Sequence, residues 1–224
     1  EFPVLCGSAL TGVGIDRLAD YICELGPSPA DRPTTVLAGD GDDAVTVEGA
    51  ADKGGKPLAY VFKTVADQFV GQVSLFKVLS GTVGLDERLV NTSTGTEERM
   101  HGLFHLRGKE HLTCDRVVAG DIGVVAKLTD TGTGATLAPK DSPVRVGPPP
   151  PPTPVFGLAL KPLTQADDDK LSGALQRLLA EDPCLQVERN DETGQTILRG
   201  CGDTHIAVSL ERLARKFGVN VETE

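Results

Sequence analysis

The chain is poor in aromatic residues and in positive charge. Its 224 residues include no Trp and two Tyr, so no platform for stacking nucleic-acid bases is apparent. Lys and Arg number 22 against 32 Asp and Glu, which gives a net charge of -10. Dedicated nucleic-acid-binding proteins are usually basic, so the balance argues against that class. The net charge does not exclude local basic contacts with RNA, because salt screens charges beyond about a Debye length and such contacts depend on the nearby charges.

Long apolar runs and paired cysteines are missing as well. No stretch approaches the roughly 20 apolar residues that span a bilayer, and no cationic start precedes an apolar segment as in a signal peptide. We therefore expect no membrane partner. The five cysteines form no Cys-x-x-Cys pair, and none has a His at metal-ligand spacing. This scatter predicts reduced thiols of a cytoplasmic protein that fill small spaces in the core, and no metal site.

Catalytic motifs are also absent from the sequence. There is no Gly-x-x-x-x-Gly-Lys-Ser/Thr phosphate loop and no nucleophile elbow. The carboxylates of Asp167, Asp168 and Asp169 are expected at the N-terminus of a helix, where they complement its dipole. We assign no catalytic or metal-binding residue, and we do not expect this segment to be catalytic by itself.

A length of 224 residues suits two domains. Composition divides the chain into five segments. The first contains Val4 to Cys6, which reads as a short buried strand, a Gly-rich loop at Gly7 to Gly14, and a helix that Gly26-Pro27 ends. One β-α unit is too small to fold alone, so we expect it either to complete a larger domain or to be poorly held where that domain is missing. The predicted segments are 1–29, a linker at 30–56 with one short strand at Val45 to Val47, 57–147, a proline-rich spacer at 148–154, and 155–224.

The middle segment has short β-rich runs about every ten residues, separated by Gly, Asp or Ser, which predicts a closed antiparallel barrel or sandwich. The runs are Leu58 to Lys63, Gln72 to Leu79, Arg88 to Asn91, Arg99 to Leu106, Thr113 to Val118 and Ile122 to Leu128.

The last segment reads as strand, helix, strand, strand, helix, strand, the ferredoxin-like arrangement. Thr164 is predicted to cap the first helix together with Asp167, and Asp203 to cap the second. Gly218 is predicted to end the second helix. The inner faces are expected to carry Leu171, Ala174, Leu175 and Leu178 on the first helix, and Ile206, Leu210, Leu213 and Phe217 on the second.

Several motifs occur in the order found in elongation factor G, the ribosomal translocase, and the chain resembles that family over nearly its whole length. They are Leu5-Cys6-Gly7-Ser8-Ala9, Ala59 to Lys63, Asp67-Gln68-Phe69-Val70-Gly71, Ser80 to Val83, Ala119-Gly120-Asp121-Ile122, Thr131 to Leu137, Lys161-Pro162, Leu171 to Glu181 with Asp182-Pro183, Gln195 to Ile197 and Gly202 to His205. The resemblance implies the last β-α unit of an α/β P-loop GTPase domain, then barrel domain II and ferredoxin-like domain III.

Site residues follow from the same resemblance. Ser8 and Ala9 would touch guanine, and His205 and Arg212 would lie near the contact with the GTPase domain. The full-length parent would be a GTPase that uses GTP or GDP with Mg, although none is expected on this segment. Its partners would be the ribosome, through ribosomal RNA and a small-subunit protein, its own upstream GTPase domain and a downstream domain.

The chain also departs from the family pattern. Asp203-Thr204 stands where Glu-Leu is usual, and Ser209 stands at a usually apolar position. The barrel loop from Leu106 to His111 also differs from a housekeeping translocase. These differences predict a divergent elongation factor G-like paralogue. Its parent either couples GTP hydrolysis to translocation or a related ribosome function, or is a nucleotide-independent ribosome-binding protein that has lost GTPase activity.

Overall fold

The computed structural model describes residues 2–29, 31, 33–38, 43–47, 55–67, 71–147 and 149–224. Parts of the predicted linker, the motif residues Gln68 to Val70 and Pro148 lie outside the described residues. The elements before the third segment are α1 Ile15–Leu25, β1 Thr34–Ala38, β2 Ala44–Val47, β3 Leu58–Asp67, β4 Gly71–Ser80, β5 Thr82–Gly84, β6 Arg88–Asn91, β7 Glu97–Arg99, β8 Phe104–Arg107, β9 Glu110–Thr113, β10 Arg116–Val118, β11 Ile122–Ala126, β12 Thr136–Ala138 and β13 Val144–Arg145. They are followed by β14 Phe156–Pro162, α2 Gln165–Glu181, β15 Gln186–Arg189, β16 Thr196–Gly200, α3 Asp203–Phe217 and β17 Val221–Thr223.

The first segment contains a helix whose apolar face is exposed. Helix α1 is confirmed, and the Gly26 N–H closes it by donating to the Ile22 carbonyl at 2.9 Å. Side chains at helical spacing along it remain in solvent, with Ile22 63% and Leu25 60% exposed. The predicted buried strand at Val4 to Cys6 is wrong: these residues form no strand, and Val4 is 89% exposed. A strand needs a hydrogen-bonded neighbour. Among the described residues of 1–29, the strand-type pairing is a single bridge between Ser8 and Val13, which lies beyond Val4 to Cys6.

The middle segment is an antiparallel sheet of eight strands that curls around one apolar core. The strand order is β7-β6-β12-β3-β4-β11-β8-β9. Strands β5 and β10 pair as a ribbon whose Val83 and Val117 reach the same core as Phe76. The barrel fold class is confirmed, in the form of a curled half-barrel. Two predicted runs are interrupted: 99–106 is split between β7 and β8, and 113–118 between β9 and β10.

A small sheet attaches the preceding segment to the barrel. Strand β1 pairs with both β2 and β13, so the predicted strand at Val45 to Val47 is confirmed as part of β2. Pro29 packs where the barrel turns at Gly120. A Cβ atom added to Gly120 would lie 2.0 Å from Cγ of Pro29, and the φ angle there is +90°. Glycine is therefore required both by the backbone conformation and by the close approach of the chain.

The third segment has the predicted ferredoxin-like topology. Its sheet order is β15-β16-β14-β17, with every neighbouring pair antiparallel. Both helices pack on one face of this sheet over a single core, which supports the predicted inner faces. The buried part of that core comprises Leu160, Leu171, Ala174, Leu175, Leu178, Leu185, Leu198, Ile206, Leu213 and Val219, with Leu210 and Phe217 partly buried.

Of the two predicted N-terminal helix caps, one is confirmed and one is wrong. At the start of α2, the Asp167 N–H donates to Oγ1 of Thr164 at 3.2 Å, and the Thr164 hydroxyl donates to Asp167 at 2.5 Å. At α3, by contrast, Gly202 is the cap and Asp203 is already helical. The carboxylate of Asp203 accepts from the adjacent Thr204 N–H at 2.6 Å, so it does not bridge a turn as a cap would. Gly218 ends α3 with φ of 65°, as predicted.

Candidate functional site

The loop with Ser8 and Ala9 is a tight turn held by its own backbone. The Ser8 N–H donates to the Val13 carbonyl at 2.9 Å, and the Gly12 N–H donates to the Ser8 carbonyl at 2.9 Å. Oγ of Ser8 accepts from the Thr11 N–H at 3.3 Å. Ser8 is half-buried and Ala9 is exposed. Such a turn lets a flat ligand approach the backbone closely, which small side chains at these two positions permit.

His205 joins the N-terminal end of α3 to the C-terminal end of α2. Its Nδ1 accepts from the Cys201 N–H at 3.0 Å, and its Nε2 lies 3.0 Å from Oδ2 of Asp182. Because Nδ1 accepts, the neutral ring carries its proton on Nε2 and donates it to the carboxylate. The His205 and Asp182 side chains are each 23% exposed. The interface role that the resemblance implies for His205 stays a prediction. The structure shows that His205 fixes the joint between two helices.

Asp182 is the ionised partner in this bridge. Burial raises the pKa of the Asp182 carboxyl, but its interactions with the His205 ring and with Cys184 together lower that pKa by more. The net effect is a pKa below the ordinary value, so the carboxylate is charged at neutral pH. Its Oδ1 accepts the Cys184 N–H at 3.0 Å. Asp182 therefore closes the C-terminal end of α2 while it holds His205.

Arg212 lies two turns further along α3, at a groove between the half-barrel and the third segment. The groove has a volume of about 450 Å³. Its charged lining consists of the cationic side chains Lys63, Lys109, Arg212, Arg215 and Lys216, with the carboxylate of Glu181. Two of these cations are paired: Lys216 with Glu181, and Arg215 with Glu211. This groove of an acidic chain thus has an excess of cationic side chains, among which Arg212 is half-buried.

Glu181 connects the two folded segments and was not singled out by the sequence interpretation. Its Oε1 accepts the N–H of Ala66 in β3 at 2.6 Å, across a separation of 115 residues. The same oxygen pairs with Lys216 of α3 at 2.5 Å, and these side chains are 10% and 20% exposed. No local pattern around Glu181 signals a contact with a strand 115 residues away.

The predicted site residues fall into two places. His205 and Arg212 lie on α3, two helical turns apart. Among the described residues, no hydrogen bond or ion pair links the loop with Ser8 and Ala9 to this helix. The described part of the chain also has no group of three or more His, Cys, Asp or Glu side chains placed to hold a metal ion.

None of the helices among the described residues is long and apolar enough to cross a membrane.

Comparisons with known proteins match both folded segments. A family model described as elongation factor G domain 2 matches residues 56–139, and one described as elongation factor G, domain III, matches residues 151–224. A crystal structure of a protein from Thermus thermophilus superposes with a TM-score of 0.76 and 30% sequence identity. The match covers 97% of this chain and 30% of the Thermus chain. This chain therefore spans less than a third of the length of that relative.

Proposed function

Because the chain belongs to the elongation factor G family and carries its domains II and III, we propose that it is the ribosome-docking and relay part of a translational GTPase. In this proposal, GTP hydrolysis in another domain of the same protein reorders switch loops. Domains II and III then transmit that change to the ribosome during translocation or a related step. The site of action is the cytoplasm.

The observation that carries the relay is the junction at Glu181. A relay needs two domains that respond together, and a joint between them must resist independent rotation. The Glu181 carboxylate holds β3 of domain II through Ala66 and α3 of domain III through Lys216. Both side chains are largely withdrawn from water, so salt screens this pair less than a surface ion pair. The junction supports a pair of domains that moves as one body.

The exposed face of α1 supports a GTPase domain as the third part of the protein. Ile15, Leu18, Ile22 and Leu25 lie in solvent on one helix, and none of them is buried by the part of the chain that the structure describes. A contiguous apolar stripe of this kind marks a surface that another element covers. We propose that segment 1–29 is the terminal β-α unit of the GTPase domain, and that the body of that domain covers the stripe.

Nucleotide contacts follow from the same assignment. Ser8 and Ala9 would place backbone groups of their turn against guanine. The sequence has no phosphate loop, so the phosphates of GTP and their Mg²⁺ would be held by residues outside these 224. In this proposal, the turn with Ser8 and Ala9 supplies only the guanine-binding part of the nucleotide site.

The ribosomal partner is supported by the basic groove. Its cations, Arg212 among them, contrast with the net charge of -10 for the whole chain. Local clusters of Lys and Arg are what phosphate backbones require. We propose that the domain II side of this groove, with Lys63 and Lys109, faces ribosomal RNA. His205 and Arg212 on α3 then lie near the contact with the GTPase domain, and domain III also contacts a small-subunit protein.

The test is multiple-turnover GTP hydrolysis by the full-length protein, with and without ribosomes. We expect strong stimulation by ribosomes, and we expect residues 1–224 alone to show no tight GTP binding. A full-length Ala9→Trp variant should lose guanine-nucleotide affinity, whereas Ala207→Trp on the exposed side of α3 should keep it. Equal, basal hydrolysis in both conditions, together with ribosome co-sedimentation, would instead support the nucleotide-independent ribosome-binding protein.

A further inference from the structure

Two of the five cysteines face each other at the open end of the β15–β16 hairpin. The register pairs Gln186 with Arg199 and Val187 with Leu198. Continued two residues beyond the last ladder pair, the same register places Cys184 opposite Cys201. Residues directly opposite on antiparallel strands have Cβ atoms about 4.5–5.5 Å apart, and disulfides need about 3.5–4.5 Å. A small approach of the two side chains is therefore enough to join them.

The two chains stay side by side one step beyond the ladder, before the turn at Pro183 and Cys184. A Cβ atom added to Gly200 would lie 3.3 Å from Cδ2 of Leu185, as expected for residues that face each other one step beyond the ladder. Burial first, and then neighbouring Asp182 and Cys201, raise the pKa of the Cys184 thiol.

The backbones of both cysteines are held by the same bridge. Asp182 accepts the Cys184 N–H at 3.0 Å, His205 accepts the Cys201 N–H at 3.0 Å, and Asp182 and His205 contact each other at 3.0 Å. This closed chain of hydrogen bonds fixes the two main-chain segments relative to each other. The thiols are therefore presented as a pair before any reaction takes place.

The accessibility of the two thiols differs in the way a redox pair requires. Cys201 is exposed and Cys184 is half-buried. Oxidation favours accessible thiols, and a second cysteine next to the first resolves the product to a disulfide. Cys201 therefore does not act as a core filler, in contrast to Cys114, which packs against the barrel core.

We propose that Cys184 and Cys201 form a reversible redox switch in domain III that responds to peroxide. Hydrogen peroxide oxidises the Cys201 thiolate to a sulfenic acid: a sulfur–oxygen bond forms, the peroxide bond breaks, and water is the leaving product after protonation. The Cys184 thiolate then attacks this sulfur, the disulfide forms, and the sulfenic oxygen leaves as a second water. In total, two thiols and one peroxide give one disulfide and two waters. A small dithiol restores both thiols by exchange.

The bridge would change the surface that carries His205. It ties the loop after α2 to the loop that starts α3, and these loops already meet through Asp182 and His205. A covalent link between them removes the freedom of that end of the helix pair to open. Oxidation would therefore stiffen the end of domain III at which α2 ends and α3 begins.

The test is to treat the folded full chain with hydrogen peroxide, alkylate the remaining thiols, and map the peptides by mass spectrometry. We expect a linked Cys184–Cys201 peptide with the loss of two hydrogen atoms, reversed by dithiothreitol. In Cys184→Ser, the linked peptide should be lost and Cys201 should proceed to sulfinic acid. In Cys201→Ser, Cys184 should stay alkylatable. Cys23→Ser, at an exposed cysteine of α1, is the matched control and should leave the linked peptide unchanged.

The wild-type result decides the proposal even if a variant fails to fold. Sulfinic acid at Cys201 with Cys184 still alkylatable in the wild-type chain would overturn it. So would disulfides distributed among Cys6, Cys23 and Cys201 without preference. Neither outcome depends on whether the full-length protein hydrolyses GTP.

Discussion

Replacing Glu181 by Ala should loosen domain III from domain II without unfolding either one. The change removes the acceptor of the Ala66 N–H and the partner of Lys216. Each domain keeps its own apolar core, one around Phe76 and the other around Leu178. The two cores share no buried residue among those that the structure describes. The loss should therefore appear in the coupling between the domains.

The size of the effect follows from the two contacts. A hydrogen bond to a charged group contributes about 1.5–3 kcal/mol, and removing one partner of a buried ion pair costs about 3–5 kcal/mol. Lys216 is 20% exposed and can turn towards water, which places the cost near the lower end. We expect Glu181→Ala to lower the free energy of opening the junction by about 3 kcal/mol. Since 1.4 kcal/mol is a factor of ten in an equilibrium constant, the population with an open junction should rise roughly 100-fold.

Hydrogen exchange at the Ala66 amide is the direct assay. That N–H donates to Glu181 itself, so its protection depends on the closed junction. In Glu181→Ala it should exchange on the order of 100-fold faster, whereas amides of Val61 and Phe76 within the sheet should keep their rates. Glu181→Gln retains an acceptor for Ala66 but loses the charge, and should fall between the two.

The matched control is Glu211→Ala on α3. Glu211 pairs with Arg215, but those side chains are 58% and 68% exposed, and such a pair contributes at most about 0.5 kcal/mol. Unchanged Ala66 exchange in Glu181→Ala would refute the argument that this carboxylate holds the junction. A loss of cooperative unfolding in either domain would show that the cores are less independent than their packing indicates.

Two further predictions concern the stability cost of replacing Glu98 and the loss of stability in acid through Asp182. Glu98→Ala should destabilise the half-barrel by about 3 kcal/mol in urea unfolding. Three donors of the loop Thr129–Thr131 would lose the acceptor that they contact at 2.8–3.0 Å. Glu98→Gln should be destabilised less, and a loss under about 1 kcal/mol in Glu98→Ala would contradict the prediction. The lowered pKa of Asp182 stabilises domain III above the unfolded value near 3.8. This contribution should be lost progressively as pH falls from that value through the lower pKa of the folded state. Asp182→Asn should show a shallower acid loss in urea unfolding, and an acid slope identical to wild type would count against the bridge with His205.

Local patterns in the sequence were sufficient for the elements of domain III. Leu171, Ala174, Leu175 and Leu178 recur at helical spacing, and all four are buried. The Thr164 cap and the Gly218 stop were also correct, because each depends on atoms within about one turn of the helix. The error at Asp203 lies within the same short range, since Gly202 and Asp203 could each occupy the cap position.

The predicted strand at Val4 to Cys6 failed for a different reason. Its residues have a suitable apolar composition, but a strand is stabilised by a hydrogen-bonded neighbour and by cover on its faces. The described residues offer neither, apart from one bridge between Ser8 and Val13. Periodicity reports the preference of a segment and does not report whether its partner is present.

The sequence by itself determined the order of the elements, the two fold types and the family, because these depend on local periodicity, turn residues and short motifs. Only the tertiary structure brought Glu181 to Ala66 across 115 residues, and gathered Lys63, Lys109 and Arg212 into one groove. Only the tertiary structure brought Cys184 and Cys201 to the two ends of the Asp182–His205 bridge. Contacts of this kind depend on how preformed elements pack, and a side chain carries no local signal of the distant surface it will meet.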